Sequence, residues 1–126
     1  MYDAKFVEDV NKALALLETP GLLDIIEELD AATLHFADLA TAVDAARSAR
    51  PGRGPLSKQR LLETLQIMES TGLITSHMDP SARSRSYAIT EHGRELIAAT
   101  QPLVEWAEEY FQKGSDGGTT ESRSGK

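Results

Sequence analysis

The residues of this chain best suited to chemistry are cationic rather than nucleophilic. Between Ala46 and Leu62 lie Arg47, Arg50, Arg53, Lys58 and Arg60, with no Asp or Glu among them. A second pair, Arg83 and Arg85, alternates with Ser81, Ser84 and Ser86. Cations clustered in this way suit phosphate oxygens, and a planar guanidinium can also take a guanine edge in two parallel bonds. Other chemistries are poorly provided for. There is no cysteine, which removes disulfides, thiolate ligands and thiol redox sensing. The three histidines, His35, His77 and His92, stand far apart and match no metal-ligand spacing. No nucleophile with its base, no Gly-rich phosphate loop and no metal triad is present. Neither an enzyme nor a cofactor is expected.

The elements that must position these cations follow from apolar spacing and from breakers. Asp3 to Glu18 reads as a helix, with Phe6, Val10, Ala13 and Leu17 in a stripe that Val7 and Leu14 widen. Thr19 can cap a second helix, with Pro20 at its first position and Leu22, Ile25, Ile26 and Leu29 on its apolar side. A short strand near Leu34-His35 precedes a third helix, Phe36 to about Ala46, that buries Phe36, Leu39, Ala40 and Val43. The loop Ser48 to Pro55 is rich in Pro and Gly. A fourth helix then runs from Ser57, a plausible N-cap, to about Thr71, and Gly72 ends it. Leu61, Leu65 and Met68 point inward, with Leu62 beside them. Leu73–Met78 and Ser86–Thr90 read as strands around a hairpin tip, 79–85. Thr90 caps a last helix, Glu91 to about Phe111. Two helices joined by a turn and followed by a two-stranded wing make a winged helix-turn-helix. The fold class is therefore mainly α with a small β-wing. Residues 1–112 form the domain, and 113–126 form a polar Gly/Ser/Thr-rich tail expected to be disordered.

Composition is compatible with this reading. The chain has 126 residues, 40% of them hydrophobic, enough for one core. No apolar run approaches the ~20 residues of a membrane span, and the N-terminus opens an amphipathic segment rather than a signal peptide, so a cytoplasmic location is expected. The net charge of −7 opposes nucleic-acid binding on average. The acids, however, concentrate at Asp3 to Asp30 and Glu91 to Glu109, away from the basic segments, and local charge decides what a surface attracts.

The sequence resembles the HxlR family of MarR-like winged-helix regulators. The resemblance is carried by His35-Phe36-Ala37-Asp38-Leu39 and by Leu56-Ser57-Lys58-Gln59-Arg60-Leu61-Leu62. It continues through Glu69-Ser70-Thr71-Gly72-Leu73-Ile74, Ser86-Tyr87-Ala88-Ile89-Thr90-Glu91-His92-Gly93-Arg94-Glu95-Leu96 and the segment from Leu103 to Trp106-Ala107. It implies a homodimeric, sequence-specific transcriptional regulator with helix 57–71 in the major groove and wing 79–86 on the backbone or minor groove. The chain departs from the family at Thr19-Pro20-Gly21, where a Trp is usual, in its lack of an N-terminal Cys, and in its longer loop 48–55.

Candidate DNA-contacting residues are Ser57, Lys58, Gln59, Arg60, Glu63, Arg83, Ser84, Arg85, Arg50 and Arg53. Helical phase turns Gln59, Arg60, Glu63 and Ser70 outward. Arg60 suits guanine, Gln59 adenine, Glu63 a cytosine amine and Lys58 a phosphate. Lys58 and Arg60 stand in a first turn, where the helix dipole disfavours cations by roughly 0.3–1 kcal/mol; an incoming anion there would reverse the sign.

The terminal helices carry more apolar surface than one domain needs. Leu96, Leu103, Ala107 and Tyr110 form a stripe that Ile97, Val104, Trp106 and Phe111 widen. Phe6, Val7, Val10, Leu14, Leu103, Trp106, Tyr110 and Phe111 are the expected dimer interface, and a two-fold dimer expects a pseudo-palindromic operator. Two alternatives stay open at this point: a winged-helix module that binds protein through its acidic surface, and a regulator that takes a small-molecule effector near the dimer interface.

Overall fold

The computed structural model describes residues 3–50, 54–81 and 83–117. Its elements are α1 (Ala4–Leu17), α2 (Leu22–Ala31), β1 (Leu34–His35), α3 (Phe36–Ser48), α4 (Lys58–Ser70), β2 (Ile74–Asp79), β3 (Ser84–Ile89) and α5 (Glu91–Gly117). The chain divides into two units, Met1–Arg94 and Glu95–Lys126. The first holds the helix-turn-helix and the sheet; the second contains most of α5.

The core of the first unit is where helical spacing placed it. Leu22, Ile25, Ile26 and Leu29 of α2, Leu39 and Val43 of α3, and Leu61, Leu65 and Met68 of α4 are all buried. Leu73, Ile74 and Tyr87 close it from the sheet side. Phe36 and Ala40 are only half-buried. Leu62 does not join the core: it is 44% exposed, because Thr64 takes the inward position instead. Thr64 is buried, and its Oγ1 donates to the Pro20 carbonyl at 2.8 Å, which satisfies the hydroxyl.

Local chemistry sets the helix ends. Asp3 caps α1 by accepting from the Phe6 N–H at 2.8 Å, and Ser57 caps α4 by accepting from the Arg60 N–H at 3.1 Å. α4 ends in a Schellman motif. Gly72 adopts φ 81°, its N–H donates to the Glu69 carbonyl at 3.1 Å, and the Leu73 N–H donates to the Met68 carbonyl at 2.9 Å. Thr90 Oγ1 accepts from the Gly93 N–H at 3.1 Å and donates to the Gly72 carbonyl at 2.6 Å, joining the start of α5 to the end of α4. A Cβ at Gly93 would lie 2.4 Å from the Leu73 carbonyl oxygen, so only glycine lets α5 start this close to the hairpin base.

The start of α2 differs from expectation. Thr19 is not its cap, and Pro20 is not its first residue. The helix begins at Leu22 behind Gly21, whose φ of 79° is left-handed, while Thr19 Oγ1 donates back to the Ala15 carbonyl. The Thr-Pro-Gly segment is thus a turn, and glycine supplies the conformation it needs. Two helices also run longer than their apolar stripes suggest, α3 to Ser48 and α5 to Gly117. Residues 118–126 of the expected tail lie outside the described residues. Pro102 sits inside α5, where it brings no N–H to the ladder.

The sheet is antiparallel, in the order β1-β3-β2. Leu34 pairs with Tyr87 and His35 with Ser86, while β2 and β3 run in register from Ile74↔Ile89 to Asp79↔Ser84. The hairpin tip is shorter than the polar run 79–85 suggested. Pro80, Ser81 and Arg83 lie in the turn, and Ser84 and Arg85 belong to β3. The Arg83 N–H closes the turn on the Asp79 carbonyl at 2.8 Å, and Ser81 donates its N–H and hydroxyl to the Asp79 carboxylate. Polar residues continue the ladder because the outer hairpin stands clear of the core, with Met78 exposed.

Tyr87 anchors β3 in the core at 4% exposure. Burial pushes its phenol above the ordinary value of 10.0, with Glu69 adding in the same direction and Arg85 opposing. The folded state then holds the proton more tightly than the unfolded chain. Stability present below pH ~10 is lost as pH rises through the raised value. Tyr87→Phe is expected to flatten this alkaline loss in denaturant midpoints measured against pH; an unchanged alkaline limb would place the cause elsewhere.

Candidate nucleic-acid interface

α3 and α4 form the helix-turn-helix, and the hairpin projects beyond them. At about 100° per residue, the buried Leu61, Thr64, Leu65 and Met68 define one side of α4. Gln59, Glu63, Gln66 and Ser70 define the other, and all four are exposed. Gln66 was missed in the sequence; its spacing from Gln59 and Glu63 was the available signal.

The four residues at the start of α4 are not equivalent. Lys58 is exposed and has no carboxylate partner among the described residues. Arg60 Nε lies 3.8 Å from Glu63 Oε1, with both side chains more than half exposed, a pairing worth little in water. Gln59 Nε2 donates to Glu63 Oε2 at 3.3 Å. Glu63 thus orients Gln59 and tethers Arg60 in the free protein. No acid occupies the first turn, so the end of the helix dipole there is uncompensated within the helix.

At the wing, Arg83 is exposed with φ 53°, a left-handed conformation rarely taken by residues other than Gly, Asn or Asp. The turn points this one guanidinium outward from the tip. Ser84 faces the body of the fold, with its Oγ 2.7 Å from His35 Nδ1. Arg85 Nη1 donates to Ser76 Oγ at 2.9 Å, and Ser76 donates to Glu69 Oε2 at 2.6 Å. This chain of polar contacts runs from β3 through β2 to α4 and fixes the hairpin against that helix.

Arg47 and Arg50 of the basic segment are drawn inward. Asp24 of α2 is buried, and Arg47 Nη1 lies 3.3 Å from its Oδ2 while Arg50 Nη1 lies 2.5 Å from its Oδ1. Arg50 also reaches Glu27 at 3.5 Å. Arg47 Nε donates to the Gly54 carbonyl at 3.0 Å, which ties the connection between α3 and α4 to the same point. Any phosphate contact from Arg50 would therefore share or break these pairs. Arg53 lies outside the described residues. The structure thus brings Lys58, Gln59, Arg60 and Glu63 together, presents Arg83 on the tip, and sets Ser84, Arg85 and Arg50 into internal bonds.

A family model for HxlR-like helix-turn-helix proteins matches residues 47–115, more than half of the chain and the whole of α4 and the wing. The chain belongs to that family. Solved structures show the same winged-helix fold. A transcriptional regulator of the MarR family from Enterococcus faecalis V583 superposes with a TM-score of 0.68 at 23% identity, covering 92% of this chain and 96% of that one. The reduced form of the transcriptional regulator YodB from B. subtilis gives 0.66 at 22% identity, covering 87% and 95%. A MarR-family regulator from Porphyromonas gingivalis W83 gives 0.65 at 19%, covering 86% and 96%. No curated protein sequence matches the chain.

These three neighbours are described as transcriptional regulators. In this HxlR-like chain, two further apolar surfaces are exposed within their own units. No residue of α1 is buried. Phe6, Val7, Val10, Leu14, Leu103, Trp106, Tyr110 and Phe111 are all between 38% and 63% exposed. Trp106 stacks on Tyr110 with ring centroids 5.1 Å apart, and Phe111 meets Tyr110 edge-on at the same separation, so the distal part of α5 presents one aromatic cluster. Among the described residues no helix is long and apolar enough to cross a membrane.

Proposed function

We propose that the protein is a sequence-specific DNA-binding transcriptional regulator that acts as a homodimer. α4 enters the major groove, and Arg83 at the hairpin tip approaches the backbone or minor groove. The observation that carries this reading is the surface of α4. Its outward side is polar and uncovered, it begins with Lys58 and Arg60 at a helix N-terminus holding no acid, and it lies in the segment matched by an HxlR-like helix-turn-helix. Lys58 is placed for a phosphate and Arg60 for a base edge, while Arg83 suits a narrow minor groove. The exposed faces of α1 and distal α5 support a two-fold dimer, since monomers rarely leave contiguous apolar patches of this kind in water. Such a dimer would set two copies of α4 about 34–36 Å apart on a pseudo-palindromic operator in the cytoplasm.

Binding to a mixed duplex pool, titrated with salt, tests the reading. Wild type should bind with an affinity that falls steeply as salt rises. Arg60→Ala should lose about 1–3 kcal/mol and relax preference at one position, whereas Arg83→Ala should weaken all sequences and reduce the salt slope by about one. Absence of binding at low salt would refute the proposal.

A further inference from the structure

Leu62 is an exposed apolar residue of α4 that the packing of this helix does not explain. It lies off the buried side of α4, and its side chain is 44% exposed. Ile67, the other exposed large apolar residue of this helix, lines a groove with Leu16 and Thr19 and so has neighbours from α1 and the turn after it. Around Leu62 the helix presents Gln59 three residues before and Gln66 four residues after, with Glu63 completing the patch; residues at these spacings are surface neighbours. All four are exposed. Gln59, Leu62 and Glu63 lie in the first two turns of α4, the part of a recognition helix that meets base edges, and Gln66 follows in the third.

We infer that Leu62 is a sequence-reading residue that packs on the C5-methyl of a thymine, so that this face of α4 selects A·T pairs. The inference rests on the DNA-binding reading above and adds which bases the helix prefers. Among the groups that the four base pairs present in the major groove, the thymine methyl is the apolar one. An isobutyl group beside two carboxamides therefore has a defined complement: the methyl for Leu62, and the N6 and N7 of adenine for a glutamine amide. Glu63 already accepts from Gln59, which holds that amide beside Leu62 before any duplex arrives. On guanine or cytosine the side chain would cover polar edges without replacing their hydrogen bonds.

Removing single methyls tests this directly. A duplex is first selected by the full chain from a randomised pool. Each thymine is then replaced, one symmetric pair at a time, by deoxyuridine, which keeps every hydrogen bond and lacks only the methyl. Wild type should lose about fourfold in affinity per methyl at one thymine in each half-site, the value of one buried methyl. Leu62→Ala should bind the parent duplex more weakly and be indifferent to uracil at that thymine. Its thermal midpoint should match wild type, because the residue lies outside the core. Uracil that is neutral at every position in wild type, or a penalty that persists in Leu62→Ala, overturns the inference while leaving DNA binding intact. A chain that selects no duplex at any salt concentration refutes the DNA-binding reading and this inference with it.

Discussion

Replacing Asp24 with alanine is expected to destabilise the protein by about 3–5 kcal/mol, the cost of removing one partner from a buried ion pair. The carboxylate is 3% exposed, and Arg47, its deeper partner, is 12% exposed. Without Asp24, the Arg47 guanidinium stays in the interior with only the Gly54 carbonyl for company. Arg50 matters less to the total, because it is 44% exposed, keeps Glu27, and can turn to water. In a domain with total stability of about 5–15 kcal/mol, this loss is a large share. It should lower the thermal midpoint by roughly 4–8 °C for each kcal/mol. Asp24→Asn should lose less, since the amide keeps the side chain's size and an acceptor oxygen for Arg47. Equilibrium denaturation decides the matter. A loss below about 1 kcal/mol for Asp24→Ala would mean that the interior relaxes around Arg47 and that the pairing is incidental. The same three residues also hold the connection leading into α4, so the variant should bind DNA more weakly even at temperatures where it is folded.

That cluster marks the boundary of what could be read along the chain. Leu22, Ile25, Ile26 and Leu29 were legible as core because an apolar stripe at helical spacing has one way to leave water. Ser57, Gly72 and Thr90 were legible as helix ends because caps act within three or four residues. Asp24 was not, because its partners stand 23 and 26 residues away, and nothing near an Asp on a helix announces a buried pair. Arg50 accordingly reads as a DNA contact along the chain, although the fold pairs it from within, together with Arg47. Thr64 was hidden for the same reason, with its acceptor 44 residues distant. Leu62 shows a different limit. Adjacent leucines at 61 and 62 read alike by type, and only the packed structure shows which of them is buried. Ser84 and Arg85 read as part of the tip because polar residues mark turns, whereas a hairpin standing clear of the core has no face that must be apolar.

The distribution of charge follows from the same inward pairing. Five cations lie between Ala46 and Leu62, but Arg47 and Arg50 are matched by Asp24 and Glu27. Among the described residues of α4 and the hairpin turn, Lys58, a loosely tethered Arg60 and Arg83 remain for an external anion. Three such cations per protomer, in a chain of net charge −7, make a weak DNA-binding surface. Two protomers on one duplex double the phosphate contacts, and that is the physical reason to expect affinity to depend on the dimer.

The largest functional effect should therefore come from residues outside α4 and the hairpin. Val10→Glu in α1 and Tyr110→Glu in α5 each put a carboxylate into an apolar face proposed to be shared between protomers. Neither residue is buried within its protomer, so each variant should keep its helical circular dichroism and sediment as a monomer where wild type sediments as a dimer. Linking two binding units raises affinity by about 10²–10⁴-fold over the separate units. A monomeric variant should lose about that factor on a duplex with two half-sites. On a duplex carrying a single half-site it should match wild type, because α4 and the wing are unchanged. Two results would go against this account. If wild type itself sediments as a monomer, the apolar faces are covered by something other than a second copy. If the variants are monomeric yet bind the two-half-site duplex as tightly as wild type, one protomer supplies the whole interface. The exposed cations Lys58, Arg60 and Arg83 would then have to carry far more of the affinity than their number suggests.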